Sequence, residues 1–252
     1  MKNVPSVTTE QMREVDRLMI EEYGIVLLQM MENAGRSLAR LAASLGGRAP
    51  NSGVLVLAGT GNNSGGGMVA ARHLSNMGNH VRVLLSGTRE ELVDVPARQA
   101  SILDKMGIEL LAAKAKAPQL LRRVIAEADL IIDALIGYSL AGAPRGQAAA
   151  LIEQANASGQ PIVSLDVPSG VDAGSGKVYE PSIKAAATLT LALPKTGFEA
   201  SEVRERLGDL HLGDLSVPPA LYRKLGMEVK PLFAERSIVR LRWADDGWVT
   251  EK

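Results

Sequence analysis

Val54-Leu55-Val56-Leu57-Ala58-Gly59-Thr60-Gly61-Asn62-Asn63-Ser64-Gly65-Gly66-Gly67-Met68-Val69-Ala70-Ala71-Arg72-His73-Leu74 reads as a strand, a glycine-rich turn and the start of a helix. Glycines let the chain turn sharply and let a ligand approach the backbone. The first amides of the following helix have no partner within it and point into the turn. Together they make a place for an anion, most often a phosphate. A tight strand-to-helix turn with no ligand has the same pattern, so the neighbouring elements must decide.

Working outward, Thr8 or Thr9 caps a helix over about 10–23, with Met12, Val15, Met19 and Ile20 on its apolar face and Gly24 at its end. A second helix is predicted over 26–45, with Leu28, Met31, Ala34, Leu38 and Leu41 along one side. Inside it, Met31-Glu32-Asn33-Ala34-Gly35 reads either as close packing against another element or as a solvated face. A loop is expected over 46–53. Strands are predicted at 80–85, 108–111, 129–133, 161–166, 187–193 and 210–212, and helices at 95–106, 119–126 and 147–157. Apolar strands alternating with helices indicate a mostly parallel sheet covered on both faces. The expected fold is a Rossmann-like three-layer α/β/α sandwich with extra N-terminal helices. The 252 residues fit one such domain, with its core at about 5–218. Residues 219–252 are left as a tail of unassigned structure, whose Trp243 and Trp248 pack on the body or on a second subunit.

Composition narrows the chemistry. Net charge is zero, which argues against a general nucleic-acid binder. There is no cysteine, which excludes disulfides, thiolate catalysis and zinc–thiolate sites. The three histidines, His73, His80 and His211, form no HxH or HxxxH pair. Aromatic residues make up 3%, too few for an evident base-stacking platform. The start, Met1-Lys2-Asn3-Val4-Pro5, lacks a signal-peptide core, and no apolar stretch approaches the roughly 20 residues that span a membrane. A cytoplasmic protein is expected.

In a parallel sheet, the loops that follow the strands gather at one edge, where ligands bind. Three stand out: the glycine–asparagine turn, the run from Asp133-Ala134-Leu135-Ile136-Gly137 to Arg145-Gly146, and Asp166-Val167-Pro168-Ser169-Gly170-Val171-Asp172. Asp133 and Asp166 each close a strand and read either as turn formers or as site carboxylates. Asp172, among glycines, reads as turn chemistry. Arg145 and Lys195 fit a phosphate contact or a surface charge. Gly67 is followed by Met68, so no Walker A lysine is present. The dinucleotide fingerprint fails at Ser64, and Leu84-Leu85-Ser86 offers no acidic residue for a ribose. Asn63-Ser64-Gly65 does not make a nucleophile elbow.

These loops resemble the YjeF N-terminal domain family, whose characterised enzymes are NAD(P)H-hydrate epimerases. Residues 28–36 are similar to its Leu-Met-Glu-Asn-Ala-Gly-Arg signature, 61–67 to Gly-Asn-Asn-Gly-Gly-Asp-Gly, 133–146 to Asp-Ala-Leu-Phe-Gly followed by Arg-Gly, and 166–172 to Asp-Ile-Pro-Ser-Gly-Leu-Asp. The match covers about 5–218. The resemblance implies interconversion of the R and S epimers of hydrated NADH and NADPH, with a separate nucleotide-dependent dehydratase restoring the S form. It implies substrate contacts at Asn62, Asn63, Ser64, Gly65 and Gly66, at Gly137, Tyr138, Ser139, Leu140, Ala141, Gly142 and Ala143, and at Asp166. It also implies a potassium ion on Asn63, Asp133 and Ser169, and a possible homodimer.

Two loop positions depart from the family. Ser64 stands for a glycine and Gly66 for an aspartate, whose charged hydrogen bond would be worth about 1.5–3 kcal/mol. A third departure is at the family's Ala-Asp-Xaa-Thr around the start of the strand at 187–193, which reads Ala186-Ala187-Thr188 here and lacks the acidic residue. Epimerisation requires the ring hydroxyl to leave and water to return on the other face. Asp166 is the expected acid–base and charge-stabilising group. The rival expectation, resting on Ser64 and Gly66, is a non-catalytic nucleotide-binding or protein-assembly module of the same fold.

Overall fold

The computed structural model describes residues 2–46, 52–245 and 247–251. The predicted loop over 46–53 thus falls largely on 47–51, outside the described residues. In chain order the elements are β1 (Asn3–Val4), α1 (Thr9–Glu21), α2 (Leu27–Leu45), β2 (Gly53–Ala58), α3 (Asn62–Asn76), β3 (His80–Leu85), α4 (Asp94–Lys105), β4 (Glu109–Ala112), α5 (Pro118–Ala126), β5 (Leu130–Ala134), α6 (Gly146–Ala157), β6 (Ile162–Leu165), β7 (Ala187–Leu191), α7 (Ser201–Leu207), β8 (Asp209–Gly213), α8 (Pro219–Lys224), β9 (Ile238–Ala244) and β10 (Gly247–Thr250). They build one sheet in the order β1-β10-β9-β8-β7-β6-β5-β2-β3-β4. The pairings from β8 through β4 are parallel, and β9, β10 and β1 continue the sheet antiparallel.

Period-two alternation divides the strands between two cores. Val54, Val56 and Ala58 of β2 pack with Met30, Leu38 and Met68 beneath α2 and α3. Leu55 and Leu57 face the other way, onto Leu121, Val124, Leu151 and Ile152 of α5 and α6. Both faces of the parallel part are therefore covered, as its near-continuous apolar strands require.

At the N-terminus Thr8 caps α1 through a capping box: its hydroxyl accepts from Gln11 N at 3.1 Å, and its own N–H donates to Gln11 Oε1 at 2.9 Å. The buried stripe of α1 is Met12, Val15, Leu18 and Met19. Ile20, expected on that stripe, is 42% exposed, because the 3.6-residue period carries it past the core edge. The segment at 108–111 also shifts: its strand starts at Glu109.

The sequence pattern missed the C-terminal hairpin. β9 and β10 pair antiparallel, and β1 joins the far side of β10. Trp248 is buried and stacks edge-on against Trp243 at 5.2 Å, with interplanar angle 75°. The tail's tryptophans therefore pack on the body, and the guanidinium of Arg204 lies 4.7 Å from the Trp243 ring. Among the described residues, no helix is long and apolar enough to cross a membrane.

The odd polar–small run in α2 is a close helix crossing. A Cβ on Gly35 would lie 2.4 Å from Val69 Cβ and 2.6 Å from Gly66 O of α3. Glu32, one turn away, pairs with Arg72 and with His73 Nε2 at 2.8 Å, both on α3. Gly35→Ala is expected to push α2 off α3 and cost about 1–3 kcal/mol, read as a lower denaturant midpoint at unchanged m-value. An unchanged midpoint would show that α2 relaxes freely.

Candidate active site

In the sheet, β3 and β4 lie to one side of β2, and β5, β6 and β7 follow on the other. The chain direction of sheet growth therefore reverses between β2 and β5, and the crevice beyond their carboxyl ends is the expected ligand position. A cleft of about 580 Å3 opens there, within the size range of small-molecule sites. Its walls come from the turn after β2 and the start of α3 (Gly59, Thr60, Gly61, Asn62, Asn63), the loop after β5 (Leu135 to Ser139), Asp166 after β6, Leu191 at the end of β7 and Lys195 beyond it, and Met12, Asp16, Leu27, Met30 and Met31 from the N-terminal helices. The three sequence-marked loops do meet at one edge.

The register explains why these loops touch. Ala58 pairs with Ala134, and Gly59 N donates to Ala134 O at 3.2 Å. Asp133, one residue before the end of β5, is fully buried. Its Oδ2 accepts from Ser164 Oγ at 2.8 Å and Ser169 N at 2.9 Å; its Oδ1 accepts from Ser169 Oγ at 2.6 Å and Leu135 N at 3.3 Å. The two bonds from Ser169 tie the loop after β6 to β5, and the one from Ser164 ties in β6 itself. Burial pushes the Asp133 carboxyl above the usual carboxylate range, and its hydrogen bonds oppose that shift. Asn63 spans the crevice, donating from Nδ2 to Leu165 O at 3.3 Å with its side chain against Gly137.

Asp166 sits at positive φ, +66°, a strained turn that swings its carboxylate over the sheet edge. Its Oδ1 accepts from Lys195 Nζ and from Leu191 N at 3.3 Å. Lys195 is completely buried. Besides its ion pair with Asp166, its ammonium donates to Thr190 Oγ1 at 3.0 Å and Leu191 O at 2.9 Å. This lysine, ambiguous in the sequence, is thus neither a surface charge nor a free phosphate ligand.

Asp16 is the residue that sequence reasoning missed. It lines the cleft from α1 and accepts from Tyr138 Oη at 2.7 Å. Burial pushes its carboxyl above the usual range, with the charge of Asp166 adding to the shift and Tyr138 and Lys195 opposing it. Burial and the Asp16 charge likewise push the Tyr138 phenol up. The one available signal was position: Asp16 follows Met12 by four and precedes Met19 by three, so a carboxylate stands at the margin of an apolar stripe.

The other nominated residues are placed unevenly. Asn62, Asn63, Gly137, Tyr138, Ser139 and Asp166 line the cleft. Ser64, Gly65 and Gly66 are buried in the first turn of α3, away from the lining. The Ser64 hydroxyl caps its own turn, donating to Gly61 O at 2.7 Å. A Cβ on Gly66 would lie 2.7 Å from Leu165 Cδ2, so an aspartate there would meet the core instead of the cleft. Leu140, Ala141, Gly142 and Ala143 run on toward α6 and are also outside the lining. Asp172 is turn chemistry, as read: its Oδ1 accepts from Gly174 N at 2.9 Å and Ser175 N at 3.0 Å. Arg145 is an exposed residue at the start of α6.

The chain is similar to known proteins over most of its length. The family model described as YjeF-related protein N-terminus matches residues 27–197. The NAD(P)H-hydrate epimerase of Dehalogenimonas lykanthroporepellens is 48% identical over 226 residues, covering 89% of this chain and 87% of that protein. A bifunctional NAD(P)H-hydrate repair enzyme of Moorella thermoacetica is 37% identical over 218 residues, covering 85% of this chain and 41% of the relative. The crystal structure of a yeast protein superposes with a TM-score of 0.81 at 28% identity, covering 94% of this chain and 100% of that one.

Proposed function

This chain belongs to the family of YjeF-related protein N-termini, and we propose on that footing that it is an NAD(P)H-hydrate epimerase working in the cleft between β2 and β5. The substrate is hydrated NADH or NADPH, and the reaction exchanges the R and S epimers at the hydrated ring carbon. The observation that carries this reading is the buried acid–base set at the switch point. Among the described residues, the Asp166 carboxylate accepts its hydrogen bonds on Oδ1, which leaves Oδ2 for a reacting group. Lys195 holds it in place.

Epimerisation requires the ring carbon to lose its hydroxyl, become cationic and regain water on the opposite face. A fixed carboxylate stabilises the cation and takes the proton of the incoming water. Asp166 has this role. Asn62 and Asn63 supply amide donors and acceptors, and the N-terminal end of α3, at Gly61 to Asn63, lines the same crevice, where a helix N-terminus favours a phosphate. The rival module reading was motivated by Ser64 and Gly66. Both positions are absorbed into packing away from the cleft, so neither removes a group from it. The test is incubation of the purified chain with S-enriched NADHX and chromatography of the R/S ratio. Equilibration is expected; a fixed ratio with nucleotide still bound by calorimetry would favour the module.

A potassium ion belongs to the same proposal, on Asn63 Oδ1, Asp133 and Ser169 Oγ. These are hard oxygen donors with a single carboxylate. Asp133 accepts four hydrogen bonds, filling its lone pairs. The fit therefore needs one to turn away, and the Ser169 hydroxyl has a second acceptor, Ile136 O, at 3.3 Å. When bound, the ion supplies positive charge that keeps buried Asp133 ionised and ties the loops together. Potassium should then raise the melting temperature above that in sodium at equal ionic strength, and Ser169→Ala should abolish the difference. No ion-specific difference in the parent chain would remove potassium from the site.

The S epimer is the form that a nucleotide-dependent dehydratase consumes, and both activities are placed in the cytoplasm. A homodimer would cover Ile20, Tyr23 and Val26, exposed apolar residues at the end of α1 and the start of α2.

A further inference from the structure

The cleft contains two carboxylates in unlike surroundings. Asp166 is ion-paired with buried Lys195. Asp16 accepts a hydrogen bond from a neutral phenol, that of Tyr138. They come from separate elements, yet the fold holds them at fixed positions. The segment before α1 is stitched to the segment that carries Lys195: Val7 N donates to Pro194 O at 2.8 Å, and Thr196 N donates to Val7 O at 2.9 Å. The Thr8 cap starts α1 immediately after that stitch, so Asp16 reaches the cleft two helical turns later on a rigid rod. Tyr138 then locks its carboxyl from the loop after β5.

We propose that Asp16 is a second catalytic residue, the general acid that protonates the departing ring hydroxyl, with Tyr138 as its positioning residue. This rests on the epimerase reading. The carbon–oxygen bond breaks with its electron pair going to oxygen. That oxygen takes the Asp16 proton and leaves as water, while the ring-nitrogen lone pair forms the C=N bond of the cation. Water then adds to the same carbon from the other face, and its proton passes to Asp166. The cycle closes when the proton on Asp166 returns to Asp16 through cleft water. The reverse epimerisation uses the two carboxyls in exchanged roles. Acid and base chemistry from one pair of carboxyls requires environments that differ. The groups facing Asp16 are Tyr138 on the loop after β5, Asp166 after β6 and Lys195 after β7, with Arg13 nearby on α1. Burial favours its protonated form.

The sign of the pH effect follows. An acid must be protonated to act, so kcat/KM should fall as pH rises through the raised pKa of Asp16. The Tyr138 hydrogen bond lowers that pKa, so Tyr138→Phe should move the alkaline limb to higher pH.

The experiment is the pH profile of R/S exchange by the full chain and by Asp16→Asn and Tyr138→Phe. In parallel, uptake of one oxygen from 18O-labelled water per exchange is followed by mass spectrometry. Expected for Asp16→Asn are a loss of about 10²- to 10⁴-fold in kcat with little change in KM, no alkaline limb, and an unchanged melting temperature. Should Asp16→Asn fail to fold, the direction of the Tyr138→Phe limb shift decides. Parent-like kcat and pH profile in Asp16→Asn, a loss confined to KM, or a Tyr138→Phe limb that does not move upward would overturn the assignment. Absence of exchange in the parent chain would instead sink the epimerase reading itself.

Discussion

Asp166→Asn is expected to reduce R/S exchange by about 10²- to 10⁴-fold, the range for removing an acid–base group, and to destabilise the protein at the same time. The second effect follows from burial. Lys195 is fully enclosed, and Asp166 is its counter-ion. Removing one partner of a buried ion pair leaves an uncompensated charge and costs about 3–5 kcal/mol. A loss of activity in the single variant is therefore ambiguous between chemistry and folding. The double variant Asp166→Asn, Lys195→Met separates the two, because an apolar side chain of similar volume removes the orphan charge. Thermal unfolding should show recovery of part of the lost stability, since Thr190 Oγ1 and Leu191 O still lose their donor. Exchange should stay at the level of the single variant. Full activity in a folded Asp166→Asn would remove Asp166 from the chemistry.

Gly59→Ala is expected to be the most damaging single methyl group in the cleft. An added Cβ would lie 2.0 Å from Leu135 O and 3.0 Å from its carbonyl carbon. These are backbone atoms of the neighbouring loop and cannot rotate aside. Relief requires the ends of β2 and β5 to part, which breaks the Gly59 N to Ala134 O hydrogen bond and displaces Ile136 and Gly137. Overpacking of this kind costs about 1–3 kcal/mol and occasionally more. Here the upper end is expected, with exchange activity falling further than stability, since the strained atoms are the cleft floor. A variant with parent-like melting temperature and exchange rate would show that the loops after β2 and β5 are free to part.

Much of the parallel sheet was legible because its strands are buried on both faces and so appear as uninterrupted apolar runs, separated by helical periodicity and glycine stops. Val54–Ala58 and Ile131–Ile132 need no partner to be recognised. The antiparallel hairpin at the C-terminus was not legible, because Arg240 and Arg242 alternate with Val239 and Leu241 in a strand that runs on through Trp243 to Ala244. That pattern gains meaning only once β8 is there to pair with it. Asp133 and Asp166 were visible as strand-end carboxylates. What divides them is tertiary: Asp133 is enclosed by Ser164, Ser169 and Leu135, whereas Asp166 lines the cleft. The prominence of Ser64 and Gly66 in the motif also did not survive folding, because residues adjacent in a helical turn face different neighbours.

By itself the sequence determined the fold class, the edge of the sheet that holds the site, the family and the loop carboxylates. All of these are written in local pattern: strand periodicity, glycine turns and short motifs in a fixed order. Only the tertiary structure decided which side chains share the cleft. Lys195 lies 29 residues beyond Asp166, and Tyr138 122 residues beyond Asp16. Their encounters depend on the sheet order and on the Val7 stitch that lays α1 across the cleft. Burial, which turns Asp16 from a helix-surface carboxylate into a group favouring its protonated form, is a property of the packed surroundings and exists only when the distant segments close around it.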